Sequence, residues 1–556
     1  MAENELKTML DLFLYRVRQN PEKPTLSFVG EEGFTRGQTE EYVAALSEYL
    51  REQGIKKGDR VALLSENSPQ WGIAYLAVCT MGAIVVPILP DFHKSEVHHI
   101  LRNSGSKIMC MSSELFHKIE EAEFKEIKKI VFIDSKERQH SAHETVALND
   151  VITDERIKEG KNIFEKIELD ENDLLEILYT SGTTGHSKGV MLTHKNIVSN
   201  IFASLKVIDI NENDRLLSLL PLAHSYECSM GFLAAFYTGA KIDYIKGLPT
   251  APTVLSAVAE VKPTIILSVP LIMDKIYKKK VIPQINAKFY SKTLYNMKPT
   301  KKLVHRIAGK KLYESFGGEL KVMVFGGAAM PPDVEDFLME GNFPFVCGYG
   351  LSETAPVLCA SPIGQHKARS AGKFLPGVEY KIDEPDPETG VGEILVKGPN
   401  VMKGYYKNEE QTAKTFTDDG WLITGDKGYA DDEDYLFIKG RSKNLIVGPS
   451  GENIYPEEIE FHLSQNPFVL ESLVFEKDGR IVARVFLDYD KIDQEYSTST
   501  SDESKASRRV QKILAELREE VNAKLASYSR IHKIIEQPEE FVKTPTKKIK
   551  RYLYTS

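Results

Sequence analysis

YTSGTTGHSKGVMLTHKN, residues 179 to 196, breaks an apolar run with a polar, glycine-rich loop. Upstream, Asp173 to Tyr179 carries Leu174, Leu175, Ile177 and Leu178, which predicts a short strand buried on both faces, as in a helix-covered parallel sheet. Downstream, Met191 resumes an ordered pattern. Between them lie Gly182, Gly185 and Gly189 with Ser181, Thr183, Thr184, Ser187 and the cation Lys188. Glycine lets backbone N–H groups approach an anion, hydroxyls add donors and lysine adds charge, so together they make a phosphate cradle. The GxxxxGK[ST] template fails, because counting from Gly182 puts Ser187 where glycine belongs and Gly189 where Ser or Thr belongs. On the residues alone, a plain surface loop stays open beside phosphate binding.

The same stretch resembles the signature of the acyl-adenylate-forming superfamily, which includes acyl-CoA synthetases, luciferases and peptide-synthetase adenylation domains. That resemblance implies that Thr180, Ser181, Gly182, Thr183, Thr184, Gly185 and Lys188 contact ATP.

A chain of 556 residues exceeds what one core organises, so two or more domains are expected. Apolar content of 42% and charged content of 27% are those of a soluble globular protein. The net charge of −9 argues against a nucleic-acid partner. Cys79, Cys110, Cys228, Cys347 and Cys359 form no CxxC pair and no metal spacing, which fits buried thiols in a reducing compartment. MAENELKTML lacks a basic stretch followed by an apolar one, and the longest apolar runs, such as Met81 to Leu89, are short and contain proline. A cytoplasmic location is therefore expected.

Along the chain, Leu6, Met9, Leu10, Phe13 and Val17 share one helical face that should stop at Asn20-Pro21, and Tyr42, Leu46, Tyr49 and Leu50 share another ending at Gly54. Then come the strand VALLS, a helix around Trp71 to Thr80 and the strand AIVVP. This alternation predicts an α/β fold with parallel-type sheets covered by helices. GDRVALLSENSPQW…GAIVVPILP also resembles the family's N-terminal region. The polar, aperiodic residues 134 to 150 read as a surface loop.

LLSLLPLAHSYE reads as a strand ending at Pro221 and His224. Ligands of open α/β sheets bind beyond the carboxyl ends of strands, so His224 is either catalytic or a hydrogen-bonded turn residue. The family resemblance puts the aromatic residue of this motif near the carboxylate substrate. Ser229 to Phe236 would serve equally as an acyl-tunnel lining or a core helix. Lys262 to Pro270 reads as a buried strand, and Leu271 stands where the family often has arginine.

Residues 275 to 321 hold twelve lysines, with Leu303, Val304, Ile307, Ala308, Leu312 and Phe316 in a helical stripe opposite Lys301, Lys302, Lys310 and Lys311. Such a helix either lies on an anionic membrane as a peripheral contact or packs on the protein with its lysines in water. A basic helical insert here is similar to long-chain fatty acyl-CoA synthetases.

Lys321 to Phe325 delivers GGAAM, and the resemblance assigns Gly327 and Ala328 to adenine. Phe343 to Cys347 delivers GYGLSETAP, where Gly348, Tyr349 and Gly350 would cover the nucleotide, Ser352 would donate to phosphate and Glu353 would hold Mg2+. From Gly392 short strands and turns predict a small β-rich subdomain. Asp426, read as exposed in a Gly-Asp turn, would accept the ribose diol, and Arg441 resembles the arginine that contacts ribose and phosphate.

A small, mobile α+β domain is expected over 442–556 after an adenylation domain over 1–441, with Lys443 at the hinge. FVKTPTKKIKR reads as a solvated basic tail, yet it resembles the family's catalytic-lysine motif, and alignment through Pro545-Thr546 selects Lys548. Lys547 replaces the usual glycine. The resemblance thus implies ATP-dependent ligation of a long-chain fatty acid to coenzyme A through an acyl-adenylate, with Mg2+, and with Lys548, Glu353 and His224 catalytic. Transfer to a carrier protein, an aryl acid, and a nucleotide-binding module without turnover are the alternatives.

Overall fold

Two large sheets carry the N-terminal part of the chain. In the eight-stranded sheet the order is Gly404–Tyr405, Lys188–Thr193, Leu174–Thr180, Ile84–Ile88, Arg60–Leu64, Ile108–Met111, Lys129–Phe132 and Glu144–Ala147. The last six of these run parallel, as the buried strands and intervening helices predict. The nine-stranded sheet is parallel from Phe345–Gly350 through Val322–Phe325, Ile265–Ser268, Arg215–Ser218 and Lys241–Tyr244 to Pro24–Phe28, with antiparallel strands at both edges. A four-stranded antiparallel sheet follows, from Glu379–Asp383, Gly392–Lys397, Leu422–Ala430 and Leu436–Arg441. The computed structural model describes residues 5–120, 122, 124–140, 142–180, 187–247, 249–287, 293–295, 297–447, 452–496, 503–544 and 548–555.

One expectation changes, and two readings left open are narrowed. The stretch read as a loop over 134–150 contributes the edge strand Glu144–Ala147, because its backbone pairs with Lys129–Phe132 although its side chains show no alternation. Gly231 to Ala235 are core: Phe232 lies edge-on to Trp71 at 6.0 Å and to Tyr75 at 6.1 Å, and a Cβ on Gly72 would come within 2.8 Å of its ring. In the helix Lys298–Ser315, Val304 and Leu312 are buried with Phe316 just beyond its end, while Leu303 and Ile307 are exposed, so the apolar stripe is split between core and solvent.

A separate buried cluster is drawn from Ile446 to Ile534, built on the strands Val469–Lys477, Arg480–Leu487 and Lys533–Glu536 and the helices Pro456–Ser464 and Glu503–Asn522. The basic C-terminal segment is folded against it. Phe541 is buried with Leu473, Phe475 and Val482, Lys543 pairs with Glu471 and with Glu540 at 2.6 Å, and Arg551 pairs with Glu460 at 2.8 Å.

Two acids are enclosed in the N-terminal core formed around the two large sheets. Glu176 accepts from Tyr75 at 2.8 Å, and Glu227 accepts from Ser218 at 2.6 Å. Burial pushes their pKa values up from 4.5, to about 7 for Glu176 and about 8 for Glu227. The fold therefore holds both protons after the unfolded chain has lost them. Their contribution is complete below about pH 4.5 and is lost as pH rises through the folded values. Each group should cost on the order of 2 kcal/mol between neutral and mildly acidic pH, since the slope is about 1.4 kcal/mol per pH unit. Thermal midpoints of Glu176→Gln/Glu227→Gln should fall less steeply from pH 5 to 8 than those of the parent chain; parallel curves would refute this.

Candidate functional site

The signature loop lies between antiparallel neighbours. Thr180 ends the strand Leu174–Thr180 and faces Lys188, the first residue of Lys188–Thr193. Ser181, Gly182, Thr183, Thr184 and Gly185 fall outside the described residues. Glycine is required at 189, because a Cβ there would sit 2.7 Å from Ile177.

The second sheet delivers its motifs at the same edge. Val322–Phe325 ends at Gly326, Gly327 has φ +83° and Ala328 follows, which exposes backbone at the turn. Phe345–Gly350 runs farther than the sequence suggested, so Gly348, Tyr349 and Gly350 belong to the strand itself. A Cβ on Gly350 would lie 1.9 Å from the Pro356 carbonyl, so only glycine fits. Beyond it, the turn Ser352–Thr354 presents Glu353, and Ser352 Oγ lies 3.5 Å from Ser225 Oγ, next to His224.

Asp426 is not in an exposed turn. It is buried within Leu422–Ala430, opposite Arg441 across the antiparallel pair. Cross-strand placement is the reason: Arg441 Nε reaches Oδ1 at 2.7 Å, and Tyr349 donates to Oδ2 at 2.6 Å. Burial raises the Asp426 pKa, with Arg441, the Tyr349 hydrogen bond and Lys548 opposing it.

His224 hangs on a loop fixed from elsewhere. Asn67 donates to the Leu220 carbonyl at 2.6 Å and to Ser218 at 3.0 Å, and its own carbonyl oxygen accepts from Leu222 N–H at 2.8 Å. Ser218 in turn donates to Glu227. Desolvation first, and Lys548 second, lower the His224 pKa to about 4, so the ring is neutral at pH 7.

Lys548 comes from the far end of the chain into this setting. Its N–H donates to Thr544 Oγ1 at 3.1 Å, and the Thr544 N–H donates to its carbonyl at 2.7 Å. Partial desolvation among the surrounding groups and then Arg441 lower its pKa, against Asp426 and Glu353, which favour the charged form, although the side chain stays exposed. The Lys443 pKa is also lowered by partial desolvation, then by Arg441 and Lys548. The structure thus gathers Lys548, Glu353, His224, Asp426, Arg441, Tyr349 and Lys443 at one place, with Lys188 at its rim.

Two features went unread in the sequence. Tyr405 donates to Glu353 Oε1 at 2.8 Å, and Asn67 holds the His224 loop. Neither lies in a phosphate-type motif, and only the pairing of distant segments reveals them.

The model of the AMP-binding enzyme family matches residues 13–406. The chain belongs to that family. It is an acyl-adenylate-forming ligase. Long-chain-fatty-acid–CoA ligase 1 of Saccharomyces cerevisiae is 30% identical over 76% of this chain and 67% of its own length. The chloroplastic long-chain-fatty-acid–[acyl-carrier-protein] ligase AEE15 of Arabidopsis thaliana is 28% identical over 84% of this chain and 74% of its own. The solved structure of Bacillus subtilis o-succinylbenzoate coenzyme A synthetase in complex with ATP and magnesium ion has a TM-score of 0.72 at 24% identity, covering 97% of this chain and 98% of that one.

The donor set fits Mg2+ held jointly with a nucleotide. Among the described residues no cluster of three or more His, Cys, Asp or Glu forms a protein-only cage. Glu353 offers one carboxylate, linked through Tyr405 to Lys188, and Mg2+ is commonly bound by one or two carboxylates plus substrate phosphates.

Proposed function

We propose that this enzyme ligates a long-chain fatty acid to coenzyme A, first forming the acyl-adenylate from ATP and releasing pyrophosphate. The observation that carries the two-step reading is Lys548, brought from the C-terminal segment into the setting of Asp426, Glu353 and His224. A carboxylate attacking a phosphate sets one anion against another, so the site must align the reactants and stabilise the charge that builds on the oxygens. Lys548 supplies a cation for that charge, Asp426 accepts the ribose diol, and Tyr349 lies against the nucleotide. Neutral His224 is suited to orient the acid by hydrogen bonding without pairing with it. Mg2+ held by Glu353 would offset phosphate charge.

Coenzyme A thiol then attacks the acyl-adenylate carbonyl and AMP leaves. The part after Lys443 turns about that residue between the steps, which withdraws Lys548 and admits the thiol. The family membership and the names of the yeast and plant relatives support a fatty acid; the plant relative's acyl-carrier-protein acceptor is the rival for the second step.

Pyrophosphate release by purified protein across fatty acids of graded length and aryl acids, with and without coenzyme A, tests both parts. The expected profile peaks at long chains and yields AMP and acyl-CoA. A flat response, or turnover only with acyl carrier protein, would overturn the assignment.

A further inference from the structure

Met402 to Tyr406 form a strap between the two phosphate-type motifs. Met402 N–H donates to the Glu353 carbonyl at 2.8 Å, Lys403 N–H to the Met191 carbonyl at 3.0 Å, and Tyr406 N–H to the Gly189 carbonyl at 2.7 Å. Gly404–Tyr405 pairs with Met191 and Val190 as the edge strand of the eight-stranded sheet. Tyr405 N–H is tied to Thr412 Oγ1 at 2.9 Å, and Gly404 has φ +142° where a Cβ would come within 2.7 Å of Thr412. The main chain carrying Tyr405 is therefore anchored on both sides of it, and the side chain is buried.

That ring touches both motifs. Its hydroxyl donates to Glu353 Oε1 at 2.8 Å, while the Lys188 ammonium lies over its face, 5.4 Å from the centroid. The edge of an aromatic ring carrying a hydroxyl suits an anion, and its face suits a cation. Glu353 and Lys188 form no ion pair with each other, and no described residue donates to Glu353 Oε2. The ring engages the two opposite charges at different places, the carboxylate at its hydroxyl and the ammonium on its face.

We propose that Tyr405 is a positioning residue that holds the Glu353 carboxylate for Mg2+ and the Lys188 ammonium for phosphate, keeping the two apart until Mg-ATP enters. This rests on the adenylation reading above and adds a residue to it. The hydroxyl holds Oε1 of Glu353, which would leave Oε2 to bind Mg2+, and the ring face sets where Lys188 waits.

The test is Tyr405→Phe and Tyr405→Leu in the full chain. Tyr405→Phe keeps the ring and loses only the bond to Glu353. It should weaken Mg-ATP binding five- to tenfold by calorimetry without the acid, and raise the Mg2+ concentration for half-maximal pyrophosphate release by a similar factor. The KM for the acid should stay within twofold, and ATP binding in EDTA should be unchanged. Tyr405→Leu should weaken ATP binding in EDTA as well, because Lys188 loses its platform. In a Glu353→Gln background, Tyr405→Phe should have no further effect on Mg2+ dependence. Equal weakening of Mg-ATP and acid, or a Tyr405→Phe protein with the parent's Mg2+ dependence, would overturn the proposal. Failure of the parent chain to bind Mg-ATP or release pyrophosphate would instead sink the adenylation reading.

Discussion

Lys548→Ala should lose pyrophosphate release with acid and ATP by about 100- to 1000-fold, yet convert supplied acyl-adenylate to acyl-CoA within about twofold of the parent rate. The magnitude is that of removing one well-placed donor from a site where charge develops on oxygen. The asymmetry follows from where the charge is needed. In adenylation it builds on the oxygens around the α-phosphate, and Lys548 is a cation open to solvent that feels the charges of Asp426, Glu353 and Arg441. In thioester formation that phosphate leaves as part of AMP, its charge already settled. A fixed lysine has no comparable work in that step, and the thiol needs the space. The turn holding Lys548 to Thr544 is made by backbone and by the threonine hydroxyl, so alanine keeps it. Stopped assays of each half-reaction decide the matter, and loss of both would refute the rotation about Lys443.

Much of this architecture is legible along the chain because parallel strands buried on both faces read as short apolar runs. Leu174 to Tyr179, VALLS and AIVVP are such runs, and each is a strand of the large sheet. Glu144–Ala147 escapes that reading since an edge strand with a polar sequence owes its form to the neighbour it pairs with. The motifs likewise give positions but not surroundings. Asp426 reads as an exposed turn residue because the sequence does not show that Arg441 lies directly across the sheet. Tyr405 reads as one more strand residue, since its partners Glu353 and Lys188 are tens to hundreds of positions away. The C-terminal cations look like a solvated run until Glu471, Glu540 and Glu460 are seen to pair with them. Charge patterns along a chain do not show which charges are already matched in space.

Asp426→Asn should raise the KM for ATP about 100-fold or more while the acid's KM changes little. Both carboxylate oxygens are already engaged, Oδ1 by Arg441 and Oδ2 by Tyr349, but an ionised carboxylate has about four acceptor sites, so two remain for a ribose diol. Hydrogen bonds to a charged acceptor contribute about 1.5–3 kcal/mol each, and about 1.4 kcal/mol is tenfold in affinity. Two such bonds therefore account for an effect of this size. Asparagine is nearly isosteric. Its carbonyl can still accept from Arg441 and its amide can donate to the Tyr349 hydroxyl, so the strand pair survives while the negative charge does not. A separate readout isolates the diol: the parent chain should discriminate strongly against 2′-deoxy-ATP and 3′-deoxy-ATP, and the variant should discriminate much less, because the penalty for a missing hydroxyl falls once its acceptor has lost its charge. If the variant keeps the parent's preference for the intact ribose, Asp426 serves only to anchor Arg441 and Tyr349, and the sugar is held by other residues.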